Sequence, residues 1–270
     1  MKRNIKQSTA TGLIFGTVFV LSAYISSFTF AIFVSILGAV ACFELAVIFK
    51  HKYEKVPLII CTISTFLIIF SCYIGGEIAL VVSLILCILF IILYSSFERN
   101  TNSRNSMLTS GIFLLIYIPF LLSYLILLRD SSSGAQKVIF VFLSIAFSDI
   151  GGLTFGMKFG RTKMCPVISP KKTWEGFLGS LIFALAISVL YIQFVFPSVY
   201  YAGNYWFPFA FSLLCSIFGT IGDLIESLIK RDARVKDSGK ILAGHGGILD
   251  RLDSTMLSAP FLYIFIMQTI

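Results

Sequence analysis

An all-α polytopic membrane protein with about nine transmembrane helices is the fold class this sequence predicts, and three observations predict it. The chain has 270 residues of which 57% are hydrophobic and 13% charged. Soluble domains average roughly 45–50% apolar and about 25% charged residues. The mean hydropathy of +0.94 is too high for a single buried core. The apolar residues also come in long unbroken runs rather than in the short alternating segments of a β-barrel. Finally, all but two of the 21 Lys and Arg fall in alternate loops when the runs are taken as spans.

A helix needs about 20 mainly apolar residues to cross a hydrocarbon core about 30 Å thick. In chain order the runs cover residues 9–27, 28–49, 56–74, 78–96, 107–128, 138–157, 176–196, 205–229 and 248–270. The first follows Lys2, Arg3 and Lys6, as a signal peptide would, but it continues straight into the second and is expected to stay as an anchor. Almost nothing polar separates the two, which leaves a tight hairpin or a partly re-entrant segment as alternatives. With nine crossings, Arg129 and Lys137 are the only basic residues on one side. The positive-inside rule then puts the N-terminus in the cytoplasm and the C-terminus outside. The net charge of +8 accordingly lies on the cytoplasmic face, where it attracts anionic lipid. Nucleic acid is not an expected partner, since no soluble domain presents a groove. The six cysteines are scattered without paired spacing, and five lie inside apolar runs, where Cys acts as a small hydrophobe.

Two cytoplasmic loops differ from the short connectors. They span residues 158–175 and 230–247 and are rich in Lys, Arg, Gly and Ser. The flanking helices carry acids: Asp149 in the sixth span, Asp223 and Glu226 in the eighth, Asp250 and Asp253 opening the ninth. An ionisable side chain at the centre of a membrane helix costs about 2.5–3.5 kcal/mol even on the lenient insertion scale, so it faces a cavity or a partner and marks function. The first half offers only Glu44 and, at a span boundary, Glu77. Glu44 reads as a buried polar contact. Residues 1–137 are therefore expected to be a five-span scaffold, and 138–270 the region that carries the chemistry.

Asp223 and Ser227 stand four apart, and Asp250 and Asp253 three apart, so each pair shares a helix face. Clustered carboxylates repel unless a cation lies between them, and hard oxygen ligands suit Mg²⁺ or Mn²⁺ held together with substrate phosphates. Lys171, Lys172, Lys230, Arg231, Lys236 and Arg251 surround the acids with phosphate-binding charge. Gly244, Gly246 and Gly247 precede a helix N-terminus, where backbone amides favour an anion. Together these point to metal-assisted phosphoryl or nucleotidyl transfer. Singly, each has a plainer reading: a topology anchor for any one Lys, a loop before a cap for the glycines, a structural role for His245, a cap for Asp253. Gly152, Gly156 and Gly160 form two G-x-x-x-G steps that suit close helix packing; the run Gly156 to Thr162 has the wrong glycine spacing for a P-loop.

The run Ser227-Leu-Ile-Lys230-Arg231, four residues, Lys236-Asp237-Ser-Gly239, then His245-Gly246-Gly247-Ile-Leu-Asp250-Arg251-Leu-Asp253 closely resembles the signature of the phosphatidate cytidylyltransferases. Ser148-Asp149 with its following glycines, and Ile168-Ser169-Pro170-Lys171-Lys172-Thr173-Trp174-Glu175-Gly176, resemble that family's second loop. The likeness is strong over roughly residues 138–260. One departure is Ala243, where the family has Pro or Gly two residues before the His. The resemblance implies that CTP and phosphatidate give CDP-diacylglycerol and pyrophosphate, with Mg²⁺ dependence, a monovalent cation left open, and a homodimer. It implies Asp223, Asp250 and more weakly Asp253 as metal ligands, and Lys230, Arg231, Lys236 and Arg251 as phosphate-neutralising groups. It further implies Gly246 and Gly247 as amide donors, Ser169, Lys171 and Lys172 beside the second phosphate-bearing substrate, and Asp149, Ser227, Asp237 and His245 as further substrate contacts. A CTP-dependent lipid-alcohol kinase and a transporter are the competing readings. The acids skewed to one half, and the absence of a repeat, speak against the transporter. The compact length suits a bacterial plasma-membrane enzyme with its site facing the cytoplasm.

Overall fold

The structure is a computed structural model; it describes residues 5–201, 205–235, 238–239 and 246–269. Among the described residues the regular structure is helical except for one β-hairpin. Two compact units divide it: residues 1–132 with 230–252, and residues 133–229 with 253–270.

In the first unit, α1 (Ile5–Ile25) and α2 (Ser27–Phe49) are separated only by Ser26. Ser26 is extended at φ −161° and ψ 161°, and it exchanges hydrogen bonds with Thr29 in a capping box. Phe19 packs edge-on against Phe30 with ring centroids 5.4 Å apart, so the two helices fold back as a hairpin. Arg129 ties the turn, donating to Ala23 O at 2.6 Å and to Ser27 Oγ at 3.0 Å.

The segment α3 (Leu58–Ser96) contains the third and fourth expected spans. Gly75 and Gly76 break its helical geometry, with Gly76 at φ 61° and ψ −145°, a conformation open to glycine. Ser71 Oγ donates to Ser83 Oγ at 2.8 Å, although twelve residues of straight helix would separate them by about 18 Å. The chain therefore reverses at the glycine pair, and residues 58–74 and 77–96 run antiparallel. Next, α4 (Thr101–Leu115) passes through a π-turn (Ile116–Phe120) into α5 (Leu121–Asp130). Pro119 lacks an N–H and crowds the preceding turn, which accounts for the widening. The helix starts a turn and a half before the expected residue 107 because Asn100 Oδ1 caps Asn102 N at 2.9 Å and draws in polar residues that hydropathy excludes.

In the second unit, α6 (Gly134–Phe159) and α7 (Trp174–Val195) pack along a glycine seam. A Cβ on Gly151 would overlap Gly179 O and stand 2.8 Å from Phe183 Cβ, and one on Gly152 would meet Ser180 Oγ at 2.5 Å. The G-x-x-x-G spacing thus does what small residues do in membranes, letting two backbones approach. Farther along, Phe140 stacks on Phe211 at 4.2 Å, and Phe207 stacks on Phe265 at 5.1 Å, joining α6, α9 (Trp206–Asp232) and α10 (Leu249–Thr269). The short α8 (Pro197–Tyr201) connects α7 towards α9. Helices α9 and α10 each contribute residues to both units.

The expected helical class holds, with one addition. Within the loop 158–175, β1 (Lys163–Cys165) pairs antiparallel with β2 (Ser169–Thr173), with Lys163 opposite Thr173 and Cys165 opposite Ser169. Among the described residues six helices are long and apolar enough to cross a membrane: Ser27–Phe49, Leu58–Ser96, Thr101–Asp130, Gly134–Phe159, Trp174–Val195 and Trp206–Asp232. Of the nine expected spans, the third and fourth lie together in α3, and α1 and α10 are not among these six.

Candidate active site

The residues singled out in the sequence fall into two clusters, one in each unit. In the second unit, strand β2 turns Lys172 inwards and leaves Lys171 exposed. Thr173 ends the strand and caps α7, its Oγ1 accepting from Gly176 N at 3.1 Å. Glu175, in the first turn of α7, accepts from Arg161 N and Thr162 N, each at 3.1 Å, which fastens the hairpin to the helix end. So held, Lys172 Nζ lies 2.7 Å from Asp223 Oδ2 on α9 and donates to Thr220 O at 3.2 Å. Ser227 Oγ donates to Asp223 Oδ1 at 3.4 Å, as their four-residue spacing requires. Asp149 on α6 accepts from Ser254 Oγ at 3.4 Å and lies within electrostatic reach of Asp253, Asp223 and Lys172. Asp253 Oδ1 accepts from Ser254 N at 2.7 Å. Gly222 lets α9 meet α10 here, since a Cβ on it would overlap Asp253 O.

In the first unit, Lys230 Nζ donates to Asp250 Oδ1 at 2.6 Å, and both side chains are largely buried. The other oxygen, Asp250 Oδ2, accepts from Gly247 N at 2.8 Å, Ser238 Oγ at 2.9 Å and Ser238 N at 3.2 Å. Asp250 is thereby a bracket: it joins the end of α9 to both sides of the signature segment. Gly246 adopts φ 85°, and a side chain there would collide with Asp250 Oδ2. A glycine is required on both counts. Glu44 of α2 joins the same cluster, accepting from Leu249 N at 2.9 Å and from Ser238 Oγ at 3.4 Å. Sequence reasoning missed this partnership.

Arg231, Arg251 and Lys171 are exposed, and their side chains make no hydrogen bond or ion pair among the described residues. They remain available to an incoming anion. Ser169 is half-buried at the start of β2. Lys236, Asp237 and His245, with Lys240 and Gly244, lie outside the described residues.

A hard divalent cation asks for oxygen ligands, and Asp149, Asp223 and Asp253 supply carboxylates in one unit, with Lys172 paired to Asp223. Among the described residues no three acids, histidines or cysteines stand together so as to hold a metal ion.

The fold is that of a polytopic helical membrane protein, with carboxylates and Lys172 clustered in one unit and Asp250, Lys230 and a glycine-rich helix start in the other. The chain belongs to the cytidylyltransferase family, whose profile matches residues 6–269. It is 33% identical over 267 residues to a phosphatidate cytidylyltransferase of Staphylococcus aureus (strain COL), covering 98% of this chain and 100% of the relative. It is 32% identical over 273 residues to the phosphatidate cytidylyltransferase of Bacillus subtilis (strain 168), covering 97% and 98%.

Proposed function

We propose that this protein is a phosphatidate cytidylyltransferase that converts CTP and phosphatidate into CDP-diacylglycerol and pyrophosphate for phospholipid synthesis. The observation that carries the reading is end-to-end similarity to bacterial enzymes of that name, together with a family signature that retains its charged positions. One substrate is anchored in the bilayer and the other is a charged soluble nucleotide, so the reaction belongs where a helix bundle meets the cytoplasm.

A phosphate oxygen of phosphatidate attacks the α-phosphorus of CTP in line. The bond from that phosphorus to the β-phosphate bridging oxygen breaks, and pyrophosphate leaves. Little general base is required, because a phosphate monoester is mostly ionised near neutral pH. Exposed Arg231 and Arg251 neutralise the triphosphate and the leaving group, with Lys236 as a further candidate. Lys230 joins them when phosphate competes with Asp250 for its ammonium. Ser169, Lys171 and Lys172 orient the second phosphate-bearing substrate, and Asp149, Ser227, Asp237 and His245 complete the substrate contacts. Gly247 N, which donates to Asp250 in this state, becomes available to phosphate when that carboxylate turns away.

A divalent cation, Mg²⁺ or Mn²⁺, would be held by Asp223, Asp250 and Asp253, and when bound it screens the charge between the lipid phosphate and the triphosphate. The reading includes a homodimer in a bacterial inner membrane, nine crossings, a cytoplasmic N-terminus and cytoplasmic loops at 158–175 and 230–247.

The test is purified protein with phosphatidate and CTP, with and without Mg²⁺, scored for CDP-diacylglycerol and pyrophosphate. Equal amounts of both, only with the cation present, are expected. No CDP-diacylglycerol from folded protein in either condition would overturn the reading.

A further inference from the structure

Glu44 stands in α2, almost 200 residues before the signature segment, and is 3% exposed. Burying a carboxylate in a membrane helix is costly unless donors meet it. Here the donors are Leu249 N, the first amide of α10, and Ser238 Oγ. The first amides of a helix have no partner within it, and the positive end of the helix dipole favours an anion beside them. Glu44 therefore caps α10 from another helix. Among the described residues Glu44 Oε1 takes no hydrogen bond. It lies instead against Gly239, where a Cβ would overlap Oε1 and stand 2.8 Å from Cδ. A Cβ on Gly247 would overlap Glu44 Oε2 and Ser238 Oγ. Ser238 also donates to Asp250, the partner of Lys230. One buried carboxylate is thus packed under two glycines of the signature and bonded to Ser238, a donor to Asp250, and to Leu249, its chain neighbour.

We infer that Glu44 is a positioning residue for the transfer reaction: it fixes both ends of the signature segment, Ser238–Gly239 and Gly246–Asp250, so that Asp250 and Lys230 are presented in register. The first five spans are then more than a membrane scaffold, because one of them holds Ser238–Gly239 and Gly247–Leu249. The inference rests on the proposed cytidylyltransferase reading.

The test is a double-mutant cycle of Glu44→Ala and Gly239→Ala in the full-length purified protein, with kcat and KM measured separately for CTP and phosphatidate. Wild-type turnover is the control: if the wild type makes no CDP-diacylglycerol, the functional reading fails, not this one. Glu44→Ala should lower kcat/KM for CTP at least ten-fold while leaving the KM for phosphatidate within about two-fold. Glu44→Gln keeps an acceptor for Leu249 N and should recover to within about five-fold of wild type. Gly239→Ala should cause a comparable loss, because the three atoms nearest its methyl all belong to the Glu44 side chain. The double variant should be no worse than Glu44→Ala alone, because truncating Glu44 makes room for that methyl. A folded Glu44→Ala protein with kcat/KM for CTP within two-fold of wild type would overturn the inference, as would losses that multiply in the double variant. If Glu44→Ala does not fold, Gly239→Ala carries the test alone, and wild-type kcat/KM there overturns it.

Discussion

Two ion pairs stand out at the residue scale: Lys172 with Asp223, and Lys230 with Asp250. Each places an ammonium beside a carboxylate. Asp223→Asn or Asp250→Asn should lower CTP- and Mg²⁺-dependent product formation at least a hundred-fold in folded protein, and near-normal turnover of either variant would remove that residue from the machinery. These four residues were legible in the sequence because they lie in dense motifs of unmistakable spacing. Their partnerships were less so. Asp250 reads as a metal ligand from its neighbours in sequence, yet the fold surrounds it with Lys230, Ser238 and Gly247. Glu44 gave only one signal, an acid in an apolar span, because its partners lie far along the chain.

Close approach governs the element scale. The seam between α6 and α7 has no room for side chains at Gly151 and Gly179; a Cβ on Gly179 would stand 2.6 Å from Phe155 Cγ. Gly151→Ala and Gly179→Ala should each lower the thermal midpoint of detergent-purified protein, at an overpacking cost of about 1–3 kcal/mol. Gly12→Ala, whose methyl would meet nothing within 4 Å, should leave it unchanged. An equal response of all three would show that the seam is not tightly packed. Periodic small residues announce such a seam in sequence. The β-hairpin at 163–173 gave no comparable warning. It is three residues paired with five, held by Glu175 on the backbone of Arg161 and Thr162, and none of that has a hydrophobic period. The reversal at Gly75–Gly76 was legible as a boundary between two apolar runs, since only a turn can divide so long a hydrophobic stretch.

Charge placement acts on the whole molecule. Lys and Arg gather in alternate loops because translocating them is costly, and this gave an expected orientation without any side-chain geometry. The same asymmetry predicts a labelling pattern in a cysteine-free background. Ser132→Cys, between α5 and α6, should react with an impermeant maleimide on intact cells, whereas Lys52→Cys, between α2 and α3, should react only after lysis. The reverse pattern would invert the topology and take the two basic loops out of the cytoplasm.

Membership of the cytidylyltransferase family leaves one chemical question that outweighs the rest, namely which phosphorus of CTP is attacked. CTP labelled at the α-phosphate, incubated with phosphatidate, Mg²⁺ and the purified protein, answers it. Attack at the α-phosphorus carries the label into the lipid phase, mole for mole with released pyrophosphate. Label confined to soluble CDP would mean transfer of the γ-phosphate, and would contradict the account.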